Sequence, residues 1–295
     1  MKVILPVAGK GVRLQPYTND LPKCLLPVGG KTIIDWIVED TLKLNPSETI
    51  FIAGYKAEKF QTFLQKKDWG KTRMVLQENP QGLGEAISLA LPHVNDDEPL
   101  LIVLGDTLFD ADLGVLAGLQ GKDNPTTNIL YTYKVQDPSR FGVVETDERG
   151  RITRLVEKPQ EFISDEAIVG IYYIKDVKAL RDALNHIMGN DIRVKGEFQL
   201  TNALEIMLKQ GCEFRTAPVK EWLDCGLPET LLKTNAWLLE NRSPTPCHIG
   251  KGSTLESCTL GPNVCIGDNC QLKNVSLSNC IVDNVYCLSQ IPLRG

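Results

Sequence analysis

No stretch of the 295-residue chain is apolar for long enough to cross a bilayer, and the first apolar run, Val3 to Ala8, is broken by Pro6 and too short for a signal segment. A membrane-embedded protein is thereby excluded, and the expected setting is the cytoplasm. Basic residues do not outnumber acidic ones: 32 against 37 gives a net charge of −5, so no global field draws the chain to nucleic acid. Any phosphate binding has to be local. Histidine is scarce, with only His93, His186 and His248, none of them in a motif, which removes the usual basis for imidazole chemistry. There is no Cys-x-x-Cys pair. The nine cysteines are odd in number, and six fall between Cys247 and Cys287; we read them as reduced thiols used for packing, since buried Cys behaves as a small hydrophobe.

From residue 2 to about 240, short β-branched runs alternate with amphipathic stretches, as in Val3–Val7, Ile33–Leu44, Thr49–Ala53 and Ala57–Gln65. That rhythm predicts an α/β domain with a Rossmann-like mixed, mostly parallel sheet flanked by helices, over residues 1–243. Leu100–Leu104 is a continuous apolar run ending in Gly105-Asp106, the pattern of a buried central strand that delivers a carboxylate at its C-terminal edge. Asn128–Lys134, Gly142–Thr146, Ile152–Val156 and Ile168–Ile174 predict a partly antiparallel insertion. After Ser243-Pro244-Thr245-Pro246, Ile249, Leu255, Leu260, Ile266, Leu272 and Leu277 recur every five or six residues. This hexapeptide rhythm predicts a short left-handed parallel β-helix over residues 247–291. Its apolar end, at Ile281, Val282, Val285, Leu288 and Ile291, has to be covered, either by the last residues folding back as a cap or, the favoured expectation, by a second copy, giving a homo-oligomer.

The first strand empties into Ala8-Gly9-Lys10-Gly11-Val12-Arg13-Leu14, where two glycines beside cations let backbone amides approach an anion. Leu14 stands where a dinucleotide fingerprint needs its third glycine, and Leu25 stands where a P-loop ending in Gly30-Lys31-Thr32 needs its first. The loop continues as Leu21-Pro22-Lys23-Cys24-Leu25-Leu26-Pro27-Val28. In this Gly-x-Gly-x-Arg-Leu loop and the Pro-Lys-x-Leu-Leu-Pro-Val run after it, the sequence resembles the sugar-1-phosphate nucleotidyltransferases, of glucose-1-phosphate thymidylyltransferase or uridylyltransferase type. Further motifs follow in that family's order: Gln77 with Pro80-x-Gly82-Leu83-Gly84, Gly105-Asp106, Phe141-Gly142, Glu157-Lys158-Pro159, Gly170-Ile171-Tyr172, Gly196-Glu197-x-Gln199-Leu200-Thr201 and Trp222-Leu223-Asp224-Cys225-Gly226.

The resemblance implies an enzyme that joins a nucleoside triphosphate to a sugar 1-phosphate, with release of pyrophosphate and with Mg²⁺ as cofactor. It places Arg13 and Lys23 on the triphosphate and Asp106 and Asp224 on the metal, charges that suit a reaction whose transition state redistributes phosphoryl charge. Ala8, Gly9, Gly11, Gln77 and Gly82 are implied in nucleotide binding, and Gly142, Glu157, Lys158 and Gly170 in binding the sugar phosphate. A Gln77 amide offers both a donor and an acceptor and so complements the imide edge of uracil or thymine. The attacking sugar phosphate is already ionised, so neither a nucleophilic side chain nor a general base is required. Two other readings are a catalytically silent relative, against which the retained Arg13, Lys23, Asp106, Lys158 and Asp224 argue, and an acyltransferase built on the β-helix, for which His248 is the only C-terminal histidine.

Overall fold

The computed structural model describes residues 1–119, 127–284, 287–289 and 292–294. The chain divides into two compact units, the first made of Met1–Gly9, Ile37–Gly105 and Phe109–Trp222, the second of Lys10–Trp36, Asp106–Leu108 and Leu223–Gly295.

The first unit is built on a nine-stranded mixed sheet. In chain order its strands are β1 (Lys2–Pro6), β2 (Glu48–Ala53), β3 (Thr72–Leu76), β4 (Leu100–Val103), β5 (Thr127–Lys134), β6 (Gly142–Thr146), β7 (Ile152–Glu157), β8 (Glu166–Ile174) and β9 (Glu213–Pro218). Half of the sheet is parallel, in the order β3-β2-β1-β4. Antiparallel β8 then joins β4, β5 and β6; β7 pairs antiparallel with β6, and β9 pairs parallel with β5. The expected mixed sheet is therefore present, and the antiparallel insertion falls on the four segments read from the sequence. Every residue of β2 and β4 is buried, as in strands covered on both faces.

The helices are α1 (Ile33–Leu42), α2 (Ala57–Leu64), α3 (Leu83–Ala90), α4 (Val177–Gly189), α5 (Leu200–Lys209) and α6 (Pro228–Asn241). Ile87 of α3, Leu184 of α4 and Leu204 of α5 meet Ile4, Ile50 and Ile102 of the sheet in one core, all with no exposed surface. Burial of each such side chain contributes about 1.5–3 kcal/mol, which anchors the strand ends from which the loops depart.

In the second unit Pro27–Val28 and Lys31–Thr32 form a tight antiparallel hairpin. Its two-residue turn is Gly29-Gly30, at φ 56° and 86°, the backbone that a primed turn demands and that glycine adopts without strain. This is the segment whose Gly-Gly-Lys-Thr lettering mimics the tail of a P-loop.

The C-terminal strands stack in three parallel columns, as a β-helix requires. Cys247 pairs with Val264 and Val264 with Cys280, so each coil takes about seventeen residues, near the eighteen that three hexapeptides supply. Ser257, Asn263, Asn269, Asn274 and Asn279 turn the corners at positive φ, where Asn pays less strain than most side chains. Ile266, Leu272 and Leu277 line the interior with Val264, Cys270 and Val275. Ile249 departs from the expected ladder. It lies on the first coil, in register with Ile266, and is 49% exposed. At the other end Val282 is buried and Ile281 partly buried; Val285 and Ile291, and the side chain of Leu288, lie outside the described residues. The cysteines act as small donors. Cys247, Cys258 and Cys270 give their thiol hydrogens to the carbonyls of Gly261, Leu272 and Asp283, at 3.2, 3.3 and 3.1 Å.

One buried amide fastens hairpin, helix and solenoid within this unit. Asn235 of α6, with no exposed surface, accepts the Gly29 N–H at Oδ1 (2.9 Å) and donates from Nδ2 to the Asn263 carbonyl (3.0 Å). Beside it, a Cβ on Gly30 would lie 2.6 Å from Nδ1 of His248, so the hairpin tip seats against the first coil only because Gly30 has no side chain. Burial pushes the neighbouring Cys265 thiol up to about 11, partly offset by the Gly30 N–H directed at it.

Candidate active site

The second unit brings together the four charged residues singled out from the sequence. Gly11, at φ 62°, opens the short turn Val12–Leu14, and a Cβ there would sit 3.0 Å from both Lys23 and Thr18. Thr18 donates to the Gly11 carbonyl at 2.9 Å, which holds the loop closed around Lys23. Lys23 is itself 7% exposed, and its Nζ donates to Oδ2 of Asp106 at 2.8 Å; the Asp106 side chain is about half exposed at 48%. A buried cation thus presents its charge through a carboxylate that opens to solvent.

Asp224 is exposed, and its Oδ1 accepts the Gly226 N–H at 2.8 Å. Its backbone carbonyl accepts the Thr234 hydroxyl at 3.1 Å, tying the loop to α6. A Cβ on Gly226 would lie 2.8 Å from Asp224 Oδ1 and 3.1 Å from Arg13 Nη2, so both charged groups lie against Gly226, where a side chain would strike them. The two thiols in these motifs are not nucleophiles. Burial pushes Cys225 up to about 12 and Cys24 higher still, leaving both as neutral packing groups.

The first unit carries the remaining candidates in two groups. Gln77 follows β3, is 5% exposed, and its Nε2 donates to Oε2 of Glu85 at 2.5 Å and, at 3.5 Å, toward the carbonyl of Gly82. Gly82, at φ 117°, starts α3; a Cβ there would meet the Phe198 carbonyl at 2.5 Å. The Gly84 N–H donates to that same carbonyl, and the Phe198 N–H donates to the Gln81 carbonyl, both at 2.8 Å. The Gln77–Gly84 loop is therefore stitched to the Gly196-Glu197-Phe198-Gln199 motif. Ala8 packs near Gly54, and its carbonyl accepts the Tyr55 N–H at 3.2 Å; around Gly9 the space is open.

The second group forms where β6 pairs with β7. Gly142 lies opposite Glu157, and a Cβ on it would come within 3.1 Å of Glu157 Oε2 and 3.0 Å of Thr201 Oγ1. Lys158, at φ 47°, has its Nζ 3.0 Å from Glu157 Oε1, and its N–H donates to the Phe141 carbonyl at 2.9 Å. Gly170, at φ 84°, falls in the register shift of β8, where a Cβ would strike Leu104. Tyr172 is held above the ordinary phenol value by burial and then by Glu157, and stays protonated.

Two neighbours escaped the sequence reading, Glu85 and Asn235; Thr201 enters it only as part of a motif, with no role. For Glu85 a signal existed, since an acidic residue three positions after a helix-opening Gly82 is the N3 position of a cap. Asn235 carries no local signal, and only the fold shows that Thr201 faces Gly142 and that Asn235 faces Gly29 and Asn263. His248, the one histidine an acyl-transfer reading could use, packs on Gly30.

Among the described residues no group of three or more His, Cys, Asp or Glu side chains converges as a metal cage, and no helix is long and apolar enough to cross a membrane. The chain belongs to the nucleotidyl transferase family, whose signature matches residues 2–241, and it is an enzyme of that family. It is 31% identical over 248 residues to the low-salt glycan biosynthesis nucleotidyltransferase Agl11 of Haloferax volcanii, covering 82% of this chain and 67% of that protein. It is 29% identical to the UTP–glucose-1-phosphate uridylyltransferase AglF of the same organism, covering 78% of this chain and 93% of AglF. A crystal structure of a candidate glucose-1-phosphate thymidylyltransferase from Bacillus anthracis, in complex with sucrose, superposes with a TM-score of 0.68 at 26% identity, covering 80% of this chain and 94% of that one. The chain spans only 60% of the length of another relative, the bifunctional protein GlmU of Methanococcus aeolicus.

Proposed function

We propose that the chain transfers a nucleotidyl group from UTP or dTTP to a sugar 1-phosphate, with glucose 1-phosphate the first choice, giving a nucleotide sugar and pyrophosphate. The observation that carries this reading is the Lys23–Asp106 pair with Arg13 beside Asp224: cations for a triphosphate and carboxylates for a metal, in one compact unit. An oxygen of the sugar phosphate attacks the α-phosphorus of the nucleotide, the bond to the bridging oxygen of the β-phosphate breaks, and pyrophosphate leaves with that electron pair. No proton has to move. In this reading Lys23 and Arg13 neutralise the triphosphate, Lys158 grips the sugar phosphate, and Glu157 with the backbone at Gly142 and Gly170 holds sugar hydroxyls. Ala8, Gly9 and Gly11 give the nucleotide a close backbone approach.

The carboxylates of Asp106 and Asp224 suit Mg²⁺, because they are hard oxygen donors, one half exposed and one exposed, too few to cage an ion unaided, and Mg²⁺ is characteristically held by one or two carboxylates completed by phosphate oxygens and water. When bound there, it would supply charge neutralisation on the phosphates. Eight of the nine cysteines are free thiols, which supports a reducing, cytoplasmic setting. In this reading a second copy covers the far end of the solenoid, past Ile281 and Val282, which light scattering at micromolar concentration tests: a monomer would refute it.

The direct test of the activity is pyrophosphate release from UTP, dTTP, CTP, ATP and GTP against a panel of sugar 1-phosphates, with Mg²⁺ and with chelator. Turnover with UTP or dTTP is expected. Release confined to purine nucleotides, or none with any pair, overturns the reading.

A further inference from the structure

Within the first unit, the reach of Gln77 is limited by what already holds its amino group. A side-chain amide can face a base with its oxygen or its nitrogen, and the two faces select opposite partners. The carboxylate of Glu85 can only accept. Its Oε2 lies 2.5 Å from the Gln77 amide, so the group facing it has to be the amino group, and the orientation follows from chemistry without further assignment. The second amino hydrogen is directed at the Gly82 carbonyl. Gln77 Oε1 has no hydrogen-bond partner among the described residues, and so remains as a lone acceptor.

We infer that Glu85 is a specificity-determining positioning residue, which fixes the Gln77 amide so that its oxygen meets the base and thereby admits the N3–H of uracil or thymine while rejecting cytosine. This rests on Gln77 as the reader of the base. Cytosine carries an acceptor at N3; against a locked Gln77 oxygen it would pair lone pair with lone pair and leave both groups unsatisfied in a buried site. The same lock narrows the initial expectation for Gln77, which presents one acceptor and not a donor–acceptor pair. Size, not Glu85, has to exclude guanine, because guanine also offers an N–H on its pairing edge.

Glu85 also has a structural role, since Oε2 accepts the Gln81 N–H at 3.3 Å near the start of α3. The two roles separate by substitution. Glu85→Gln keeps an acceptor for that N–H, because Gln serves at N3 as Glu does. One oxygen, Oε2, serves both groups, so a Gln whose oxygen takes that place still holds the Gln77 amino group and only its flipped amide releases it; the lock is loosened, not removed. Glu85→Lys can only donate, which turns the Gln77 oxygen inward and its amino group toward the base.

The experiment is kcat/KM for UTP and CTP, with dTTP alongside, in the wild type, E85Q, E85K and Q77A, each with a thermal melt. Expected is a wild-type preference for UTP that falls modestly in E85Q with an unchanged melt, and by about tenfold or more, the discrimination that one hydrogen bond provides, in E85K. An unchanged UTP:CTP ratio in E85Q and E85K, with the ratio altered in Q77A, overturns the role of Glu85 and leaves Gln77 as reader. An unchanged ratio in Q77A removes Gln77 as reader, and the inference with it.

Discussion

In the second unit Arg13, Lys23, Asp106 and Asp224 carry formal charges on short turns and at the end of a strand, and neutral hydrogen bonds help to hold those segments: Thr18 to Gly11, Thr234 to Asp224, Asn235 to Gly29. In the first unit several candidates are neutral, Gln77 after a strand, Gly82 at a helix start, and Gly142 and Gly170 in strands, and at Gln77 a charged group, Glu85, does the orienting. The assignment of labour is inverted. Where charge would act on substrate, neutral groups do the positioning; where neutral groups would read substrate, charge does it. Physical economy explains the difference: a charge acts over several ångströms and tolerates a loop, whereas a hydrogen bond fails within a few tenths of an ångström and needs a strand or helix behind it.

This contrast breaks most visibly at the carboxylates. Asp106→Asn and Asp224→Asn are each expected to lower kcat by about a thousandfold or more, equally for every nucleotide, with folding intact by circular dichroism. A near-wild-type rate in both would end their assignment to the metal. Lys23→Ala comes next, at about 100- to 1,000-fold in kcat, the usual effect of deleting one donor to transition-state charge. Arg13→Ala should cost a similar factor and the double variant less than the product, because both act on one anion; strict multiplicativity in steady-state kinetics would assign them to different groups.

Two smaller effects test the neutral side. Gly82→Ala forces a Cβ against the Phe198 carbonyl at φ 117° and should cost about 1–3 kcal/mol of stability by urea unfolding, with a raised KM for the nucleotide and little change for the sugar phosphate. Asn235→Ala leaves the Gly29 N–H and the Asn263 carbonyl unpaired, at about 1–3 kcal/mol by the same measurement, and should reduce kcat several-fold while leaving nucleotide preference alone. A shift in preference would show that the hairpin does more than hold Lys23. The slightest effect concerns pH. The folded-state value of Cys265 is raised from the usual thiol value of 9.0 to about 11, so its contribution to stability is complete below pH 9 and is lost as pH rises from 9 toward 11. Cys265→Ala should flatten the fall of the urea midpoint across that window.

Much of this was legible because motifs for handling charge are short and local. Gly11-Val12-Arg13 and Pro22-Lys23 are contiguous, and Gly105-Asp106 ends an apolar run whose burial the letters already imply. The fold class followed from periodicity for the same reason. What stayed hidden depends on distant pairings. Asn235 is one polar residue on an amphipathic helix, and nothing nearby foretells that it spans from Gly29 to Asn263. Ile249 fits the hexapeptide rhythm yet stands half exposed, since periodicity gives a residue's phase on the coil but not whether another coil lies above it.

The seat of the Gly29-Gly30 tip against Asn263, His248 and Cys265 has a consequence for how such a chain can vary in length. These residues belong to the opening turns of the solenoid, so it is moored at its beginning and grows away from its mooring. Coils could be appended or removed past residue 282 as storeys are added to a building, and the ground floor, with the contacts of Gly29, Gly30 and Asn235, would keep its plan. In this architecture the length of the tail and the chemistry of the head are free to evolve on separate schedules.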